Sequence, residues 1–188
     1  HPEARPLNAY GKLVTPGLVD CHTHMIFGGH RAAEFQMRLA GATYAEIAAK
    51  GGGIQTTVRA TAGVKEEVLE KTLANRLERW RSNGCTTVEV KSGYGLTAAR
   101  EVRLLELMAG AAIRVPGRVH RTALVLHALP EEYRARREAY VAEVRDVLLS
   151  EIHRRGMAGA VDVFCDPVGF TVEECRGVLE RARDLGFA

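Results

Sequence analysis

The chain has 188 residues, of which 46% are hydrophobic and 26% are charged. This composition is typical of a globular domain and excludes general disorder. The 26 basic residues are interspersed among 23 acidic ones, for a net charge of +3, so the charge gives no argument for a nucleic-acid partner. No apolar run approaches the roughly 20 residues that span a bilayer, and we therefore expect no membrane partner.

The predicted elements alternate between two periodicities along the chain. Short β-rich runs occur at residues 18–21, 86–91, 119–126 and 160–165. Amphipathic helical patterns follow at 65–82, 97–112 and 139–155, and a capping box at Thr171–Glu174 opens a last helix. A second capping box, Thr43–Glu46, predicts a short helix that ends at Gly51. The first fifteen residues, through the run Gly11–Thr15, are interpreted as a stray strand ahead of the first βα unit.

Alternation of apolar strands with helices predicts an α/β fold with a parallel sheet that is buried on both faces. Two architectures fit this pattern: an open doubly wound sheet, or part of a (β/α)8 barrel. The chain contains no G-x-G-x-x-G and no G-x-x-x-x-G-K-[ST] motif, which weakens the nucleotide-binding version. The four cysteines form no C-x-x-C pair, and we expect them to be reduced, as in the cytoplasm.

The strongest chemical signal is a His-x-His pair at the end of the first strand. His22 and His24 are two residues apart, so an extended backbone directs both imidazoles to the same side, where they can share a metal ion. The carboxyl end of a parallel strand is also where such folds keep their sites. For Asp20, just before the pair, a strand-end hydrogen bond and a supporting role for the metal ligands are both open.

Other candidate residues follow the later strands. Arg31 comes after a Gly-Gly turn and is either a carboxylate-binding fork or half of a surface ion pair. Tyr94 stands between two glycines at a strand-to-helix corner, either in a pocket or packed in a turn. His127 ends the third strand, and Lys91 ends the second as an expected paired structural lysine. Because no G-x-S-x-G elbow is present, a metal-activated water is the most economical mechanism.

Five stretches together carry a resemblance to a known family. They are P-G-L-V-D-C-H-T-H-M-I-F-G-G-H-R at 16–31, G-G-G-I-Q-T-T-V-R-A-T at 51–61, T-T-V-E-V-K-S-G-Y-G-L at 86–96, H-A-L-P-E-E-Y at 127–133, and 161–166. In this order they resemble the imidazolonepropionases, which are ring-opening amidohydrolases of histidine degradation. The resemblance implies a metal-dependent amidohydrolase barrel with one zinc or iron ion, and hydrolysis of 4-imidazolone-5-propanoate to N-formimidoyl-L-glutamate.

The resemblance also implies roles for individual residues. His22 and His24 match the family's first two metal ligands. Arg31 matches the arginine expected to hold the propionate carboxylate, Tyr94 matches a tyrosine that contacts substrate, and His127 matches a histidine near the imidazolone ring. The family's remaining metal ligands and its acid/base residues would follow residue 188, so no catalytic acid or base is assigned within the chain.

By this resemblance, residues 1–15 are the remnant of a flanking β-sandwich and residues 16–188 are the first half of the barrel, with about four βα units. Unpaired sheet edges then predict a homo-oligomer, in particular a dimer. Two alternatives stay open. One is another cyclic amidohydrolase, similar to dihydroorotases or hydantoinases, which typically use a carboxylated lysine and two metals. The other is a non-catalytic half-barrel that binds metal weakly.

Overall fold

The computed structural model describes residues 3–43, 46–47 and 51–188. Within these ranges, four strands form one parallel sheet: β1 (Leu18–Asp20), β2 (Cys85–Lys91), β3 (Arg118–Val125) and β4 (Ala160–Val163). The strands pair in the order in which they occur along the chain. A doubly wound sheet reverses its strand order at a switch point, whereas a barrel wall keeps the chain order. The fold is therefore a partial α/β barrel, and the open-sheet alternative is wrong.

Helices connect the strands on one face of the sheet. Between β1 and β2 lie α1 (Ala32–Leu39), α2 (Ile54–Ala62) and α3 (Glu66–Ser82), and α4 (Ala98–Arg114) leads to β3. A 3₁₀ turn (Glu131–Tyr133), α5 (Arg137–Glu143), a π-helical turn (Val144–Leu148) and α6 (Leu149–Arg154) lead to β4, which α7 (Val172–Leu185) follows. The helices predicted at 65–82 and 97–112 are confirmed with ends shifted by at most two residues, and the one predicted at 139–155 is formed by α5, the π-helical turn and α6 in succession. The capping box at Thr171–Glu174 opens α7 as predicted. The helices α1 and α2 were not predicted.

The hydrophobic core lies between the sheet and these helices. Val88 and Val90 of β2 and Val125 of β3 are buried and pack with leucines and isoleucines of the helices. Several helical contributors are fully or almost fully buried: Leu73, Leu105, Met108, Tyr140, Leu148 and Ile152. Full burial of one such side chain contributes roughly 1.5–3 kcal/mol, so this layer fixes the strand ends that carry the candidate site.

The opposite face of the sheet is polar at its centre. The Lys91 Nζ atom lies 2.7 Å from Glu89 Oε1 on its own strand and 2.8 Å from Asp162 Oδ2 on β4. Because β3 lies between β2 and β4 in the sheet, the ion pair of Lys91 with Asp162 reaches across β3. The Thr23 hydroxyl donates to the Glu89 carbonyl at 2.6 Å and so ties the loop after β1 to β2. The paired structural role predicted for Lys91 is confirmed.

Residues 3–17 form no strand, so the stray strand predicted within the first fifteen residues is not formed in the part of them that the structure describes. Leu13 and Val14 are exposed and pair with no neighbouring strand within the described ranges, so nothing favours an extended ladder. The predicted short helix after Thr43 falls largely outside the described residues. Its capping bonds are present, however: the Thr43 amide donates to Glu46 Oε2 at 2.7 Å. No helix in the described part of the chain is long and apolar enough to cross a bilayer.

Candidate active site

The end of β1 is anchored by Asp20. Its Oδ2 atom accepts a hydrogen bond from the Trp80 indole nitrogen of α3 at 2.6 Å, and its Oδ1 atom accepts one from the His22 amide at 3.3 Å. The strand-end hydrogen bond considered for Asp20 is therefore formed. Through the same carboxylate, the backbone that carries the His-x-His pair is attached to α3, which packs on the core through Leu69, Leu73 and Leu77.

Four rings predicted as site residues lie together at the carboxyl ends of β1, β2 and β3. The ring centroid of His24 lies 5.2 Å from that of His22, 5.7 Å from that of His127 and 5.9 Å from that of Tyr94. Tyr94 and His127 are 5.3 Å apart. Parallel strands end at the same edge of a sheet, which is why residues distant in sequence meet here.

The two half-buried histidines of this cluster are neutral near pH 7. Burial, together with the charges of the neighbouring His127, His22 and Lys91, lowers the pKa of His24 to about 4. Burial also lowers the pKa of His127, against a hydrogen bond to Gly93. A neutral imidazole keeps one nitrogen lone pair, so each ring can bind a metal ion or accept a hydrogen bond.

One ring nitrogen of His127 is fixed by a backbone contact. His127 Nδ1 lies 2.8 Å from the carbonyl oxygen of Gly93, on the loop that carries Tyr94. A carbonyl oxygen only accepts, so Nδ1 holds the proton and Nε2 is left as the acceptor of the neutral ring. Burial raises the pKa of Tyr94, so its hydroxyl stays protonated beside this ring.

Arg31 lies at the edge of the cluster and is partly exposed. Its Nε atom donates to Glu34 Oε2 at 2.7 Å, and the Glu34 carboxylate also accepts the Gly53 amide at 3.1 Å. The ion pair considered for Arg31 is therefore present. This ion pair uses the Nε atom of Arg31. That the terminal guanidinium nitrogens bind a carboxylate stays a prediction.

No protein-family model matches the chain. Proteins named imidazolonepropionase do match it: it is 48% identical over 179 residues to one from Hahella chejuensis, and 47% identical over 178 residues to one from Erwinia tasmaniensis. A third, from Burkholderia cenocepacia, is 48% identical over 177 residues. These matches cover 94% or 95% of this chain. Over almost its whole length, the chain is therefore similar to a segment of proteins named imidazolonepropionase. It spans 44% of the length of each of these three relatives.

The resemblance described in the sequence analysis implies a metal ion, and the His-x-His pair fits part of a ligand set for one. His24 Nδ1 is buried and has no hydrogen-bond partner among the described residues. A buried nitrogen without a partner is unfavourable, and a ligand bound by this pair would orient the ring. Within residues 3–43, 46–47 and 51–188, no three His, Cys, Asp or Glu side chains are placed to hold one ion. Two imidazoles would need further ligands, because protein zinc sites use three or four.

Proposed function

We propose that the protein containing this chain hydrolyses the cyclic amide 4-imidazolone-5-propanoate to N-formimidoyl-L-glutamate. The observation that carries the proposal is the meeting of His22, His24, Tyr94 and His127 at one edge of the sheet. The relatives named imidazolonepropionase support the substrate class. Together they favour a ring-opening hydrolase over a passive metal-binding module.

Metal binding belongs to His22 and His24 in this proposal. The low pKa of His24 keeps its imidazole unprotonated, which is the state that ligates. The pair would hold one zinc or iron ion, which would supply Lewis-acid chemistry for the amide carbonyl and for a water molecule at neutral pH. The two histidines contribute by bringing their rings to a centroid distance of 5.2 Å, and the Asp20 contacts restrict the backbone that carries them.

Tyr94, His127 and Arg31 would orient the substrate. The Nε2 acceptor of His127 suits a ring N–H of the imidazolone, and the protonated Tyr94 hydroxyl can donate to a substrate oxygen. Arg31 would hold the propionate carboxylate through its terminal nitrogens, while Glu34 fixes the Nε edge. Such contacts favour one pose, and positioning contributes strongly to hydrolysis rates.

The organisation of the whole protein is part of the same proposal. Residues 1–15 are assigned to the remnant of a flanking β-sandwich, and 16–188 to the first half of an amidohydrolase barrel. We propose a homodimer in the cytoplasm. The four cysteines, which are all free thiols, support a reducing compartment.

A substrate panel tests this function against the rival cyclic amidohydrolases. In the protein as its gene encodes it, kcat/KM should be highest for 4-imidazolone-5-propanoate, with hydantoin and dihydroorotate opened far more slowly. Lys91 supports this ranking of the substrates. Its Nζ atom lies between two carboxylates, which raise the pKa of Lys91 although burial lowers it. A charged ammonium is not available for carboxylation. Efficient opening of hydantoin or dihydroorotate, with none of imidazolone propionate, would overturn the proposal.

A further inference from the structure

The loop 92–96, which joins β2 to α4 and carries Tyr94, has an unusual backbone. Gly93 has φ of 111° and Leu96 has φ of 63°, in the left-handed region that residues other than glycine rarely adopt. A Cβ atom on Gly93 would lie 2.8 Å from His127 Nδ1. The loop therefore approaches His127 as closely as a glycine allows. Strained backbone of this kind persists only where surrounding contacts hold it.

The contact that holds this loop is the carboxylate of Glu101. This side chain lies on the first turn of α4, and the residue is only 1% exposed. Its Oε2 atom accepts the Gly93 amide at 3.0 Å, and its Oε1 atom accepts the amides of Gly95 at 2.7 Å and Leu96 at 2.8 Å. These hydrogen bonds fix the backbone on both sides of Tyr94.

The chemistry of the three partners shows what suits this position. Burial raises the pKa of the Glu101 carboxyl above its usual value, although the three amides act in the opposite direction. All three amides are donors, and converging backbone N–H groups at a helix start form a site for an anion. A carboxylate can accept all of these hydrogen bonds, while an amide side chain in its place would turn an N–H group towards other N–H groups.

The same loop also reaches the second ring of the site. Gly93, whose amide Glu101 holds, offers its carbonyl to His127 Nδ1 at 2.8 Å. We propose that Glu101 is a positioning residue, which acts through the loop 92–96 to orient Tyr94 and to keep the His127 proton on Nδ1. The positioning of the loop and of the His127 ring is argued from these hydrogen bonds alone. The expected effect of Glu101 on turnover rests on the proposed function.

Glu101→Gln tests this role in the protein as its gene encodes it. ¹⁵N NMR of histidine-labelled protein reports the tautomer of His127, whose signals are assigned by their loss in His127→Asn. We expect the Nδ1–H tautomer in the wild type and a mixture of tautomers in Glu101→Gln. Ring opening should fall roughly 10–100-fold in kcat/KM, the usual effect of removing a group that orients a site residue.

The matched control is Glu106→Gln on the same helix. Glu106 pairs with Arg103 and Arg155 at the surface, far from the loop 92–96 in its contacts. This variant should keep the wild-type His127 spectrum and rate. If Glu101→Gln behaves in the same way, with at most a lower melting temperature, Glu101 is merely structural and the proposal is wrong.

Glu101→Asp serves if the amide variant does not fold. It keeps the charge but is one methylene too short to reach all three amides, so the His127 tautomer should again become mixed. An unchanged spectrum and rate in Glu101→Asp would overturn the proposal, as would failure of both variants to fold, since Glu101 would then determine the fold. If the wild type does not open imidazolone propionate, the proposed function fails, while the NMR spectra still decide the role of Glu101.

Discussion

At the scale of single residues, metal affinity should depend on His22 as much as on His24. A site with few protein ligands loses affinity steeply when one ligand is removed. We expect His22→Ala, in the protein as its gene encodes it, to abolish tight metal binding and turnover. Metal content per protein after dialysis, with ring-opening assays, checks this. His153→Ala is the control, since His153 lies exposed on α6. Full metal occupancy and a normal rate in His22→Ala would contradict the assignment.

Arg31 allows a prediction about substrate specificity. Arg31→Lys keeps the positive charge but loses the planar fork that grips a carboxylate in two places. We expect KM to rise more for imidazolone propionate than for an analogue without the carboxylate. Because the ion pair with Glu34 is partly exposed, stability should change by less than about 1 kcal/mol.

Arg118→Lys, at the start of β3 and so at the opposite end of the strands, is the matched control for Arg31. It should leave KM unchanged for both compounds. An equal rise of KM for both compounds in Arg31→Lys would make Arg31 a structural residue.

At the scale of elements, the start of α7 offers a clean test of local stability. The Thr171 hydroxyl accepts the Glu174 amide at 3.2 Å, and Glu174 Oε2 accepts the Thr171 amide at 2.8 Å. Thr171→Ala should lower the free energy of unfolding by about 1 kcal/mol in urea titrations. Thr97→Ala should have a much smaller effect, because Thr97 precedes α4 without a side-chain capping bond. Equal losses in both variants would show that the cap bonds contribute little.

The same helix start predicts a pH dependence. The Arg137 guanidinium, 2.6 Å from Glu174, together with the Thr171 amide, holds the pKa of Glu174 below its usual 4.5, although burial opposes this. A depressed pKa means that the folded state releases this proton more readily, so the stabilisation is present above 4.5 and is lost as the pH falls through the folded-state pKa. Between about pH 5 and pH 3, unfolding free energy should fall less steeply in Glu174→Gln than in the wild type. Parallel curves would contradict this.

The sequence predicts long, strongly periodic helices well and short connections poorly. α3 and α4 repeat apolar residues on one face over 17 residues each, whereas α2 contains a run of β-branched residues that masks its pattern. Glu101 had a readable signal: it stands four residues before Leu105 and seven before Met108, on the buried stripe of α4. A carboxylate at such a position must have partners, but their identity depends on how the loop 92–96 folds back.

At the scale of the whole molecule, the chain made alone as residues 1–188 should self-associate. Val19 of β1 is 61% exposed and Phe164 after β4 is 41% exposed, and these strands have one partner each in the described part. Exposed strand edges and apolar patches favour association. Sedimentation velocity should show concentration-dependent oligomers, and imidazolone propionate should stay intact, because two imidazoles hold a metal weakly. A monodisperse monomer that opens the ring would contradict both expectations.

The parallel sheet explains how much of the candidate site could be predicted from the sequence. Parallel strands end at one edge, so the sequence was enough to predict that His24, Tyr94 and His127 meet. It could not give the 2.8 Å contact between His127 and Gly93 or the ion pairs of Lys91. Those contacts depend on backbone reversals and on the spacing between strands, which only the packed structure sets.

The strand order has a consequence for how the protein is made. Each of β2, β3 and β4 pairs with the strand that is synthesised just before it. During synthesis, the partner of each new strand has therefore already left the ribosome. Among these strand pairs, β1 and β2 are separated by the longest connection, about 65 residues from Asp20 to Cys85. The pairing of β1 with β2 therefore requires the longest stretch of intervening chain to be synthesised. Until then the His-x-His segment emerges without the ring partners that later surround it. Assembly of the site is therefore a late event in vectorial folding, and it waits on β3 and His127.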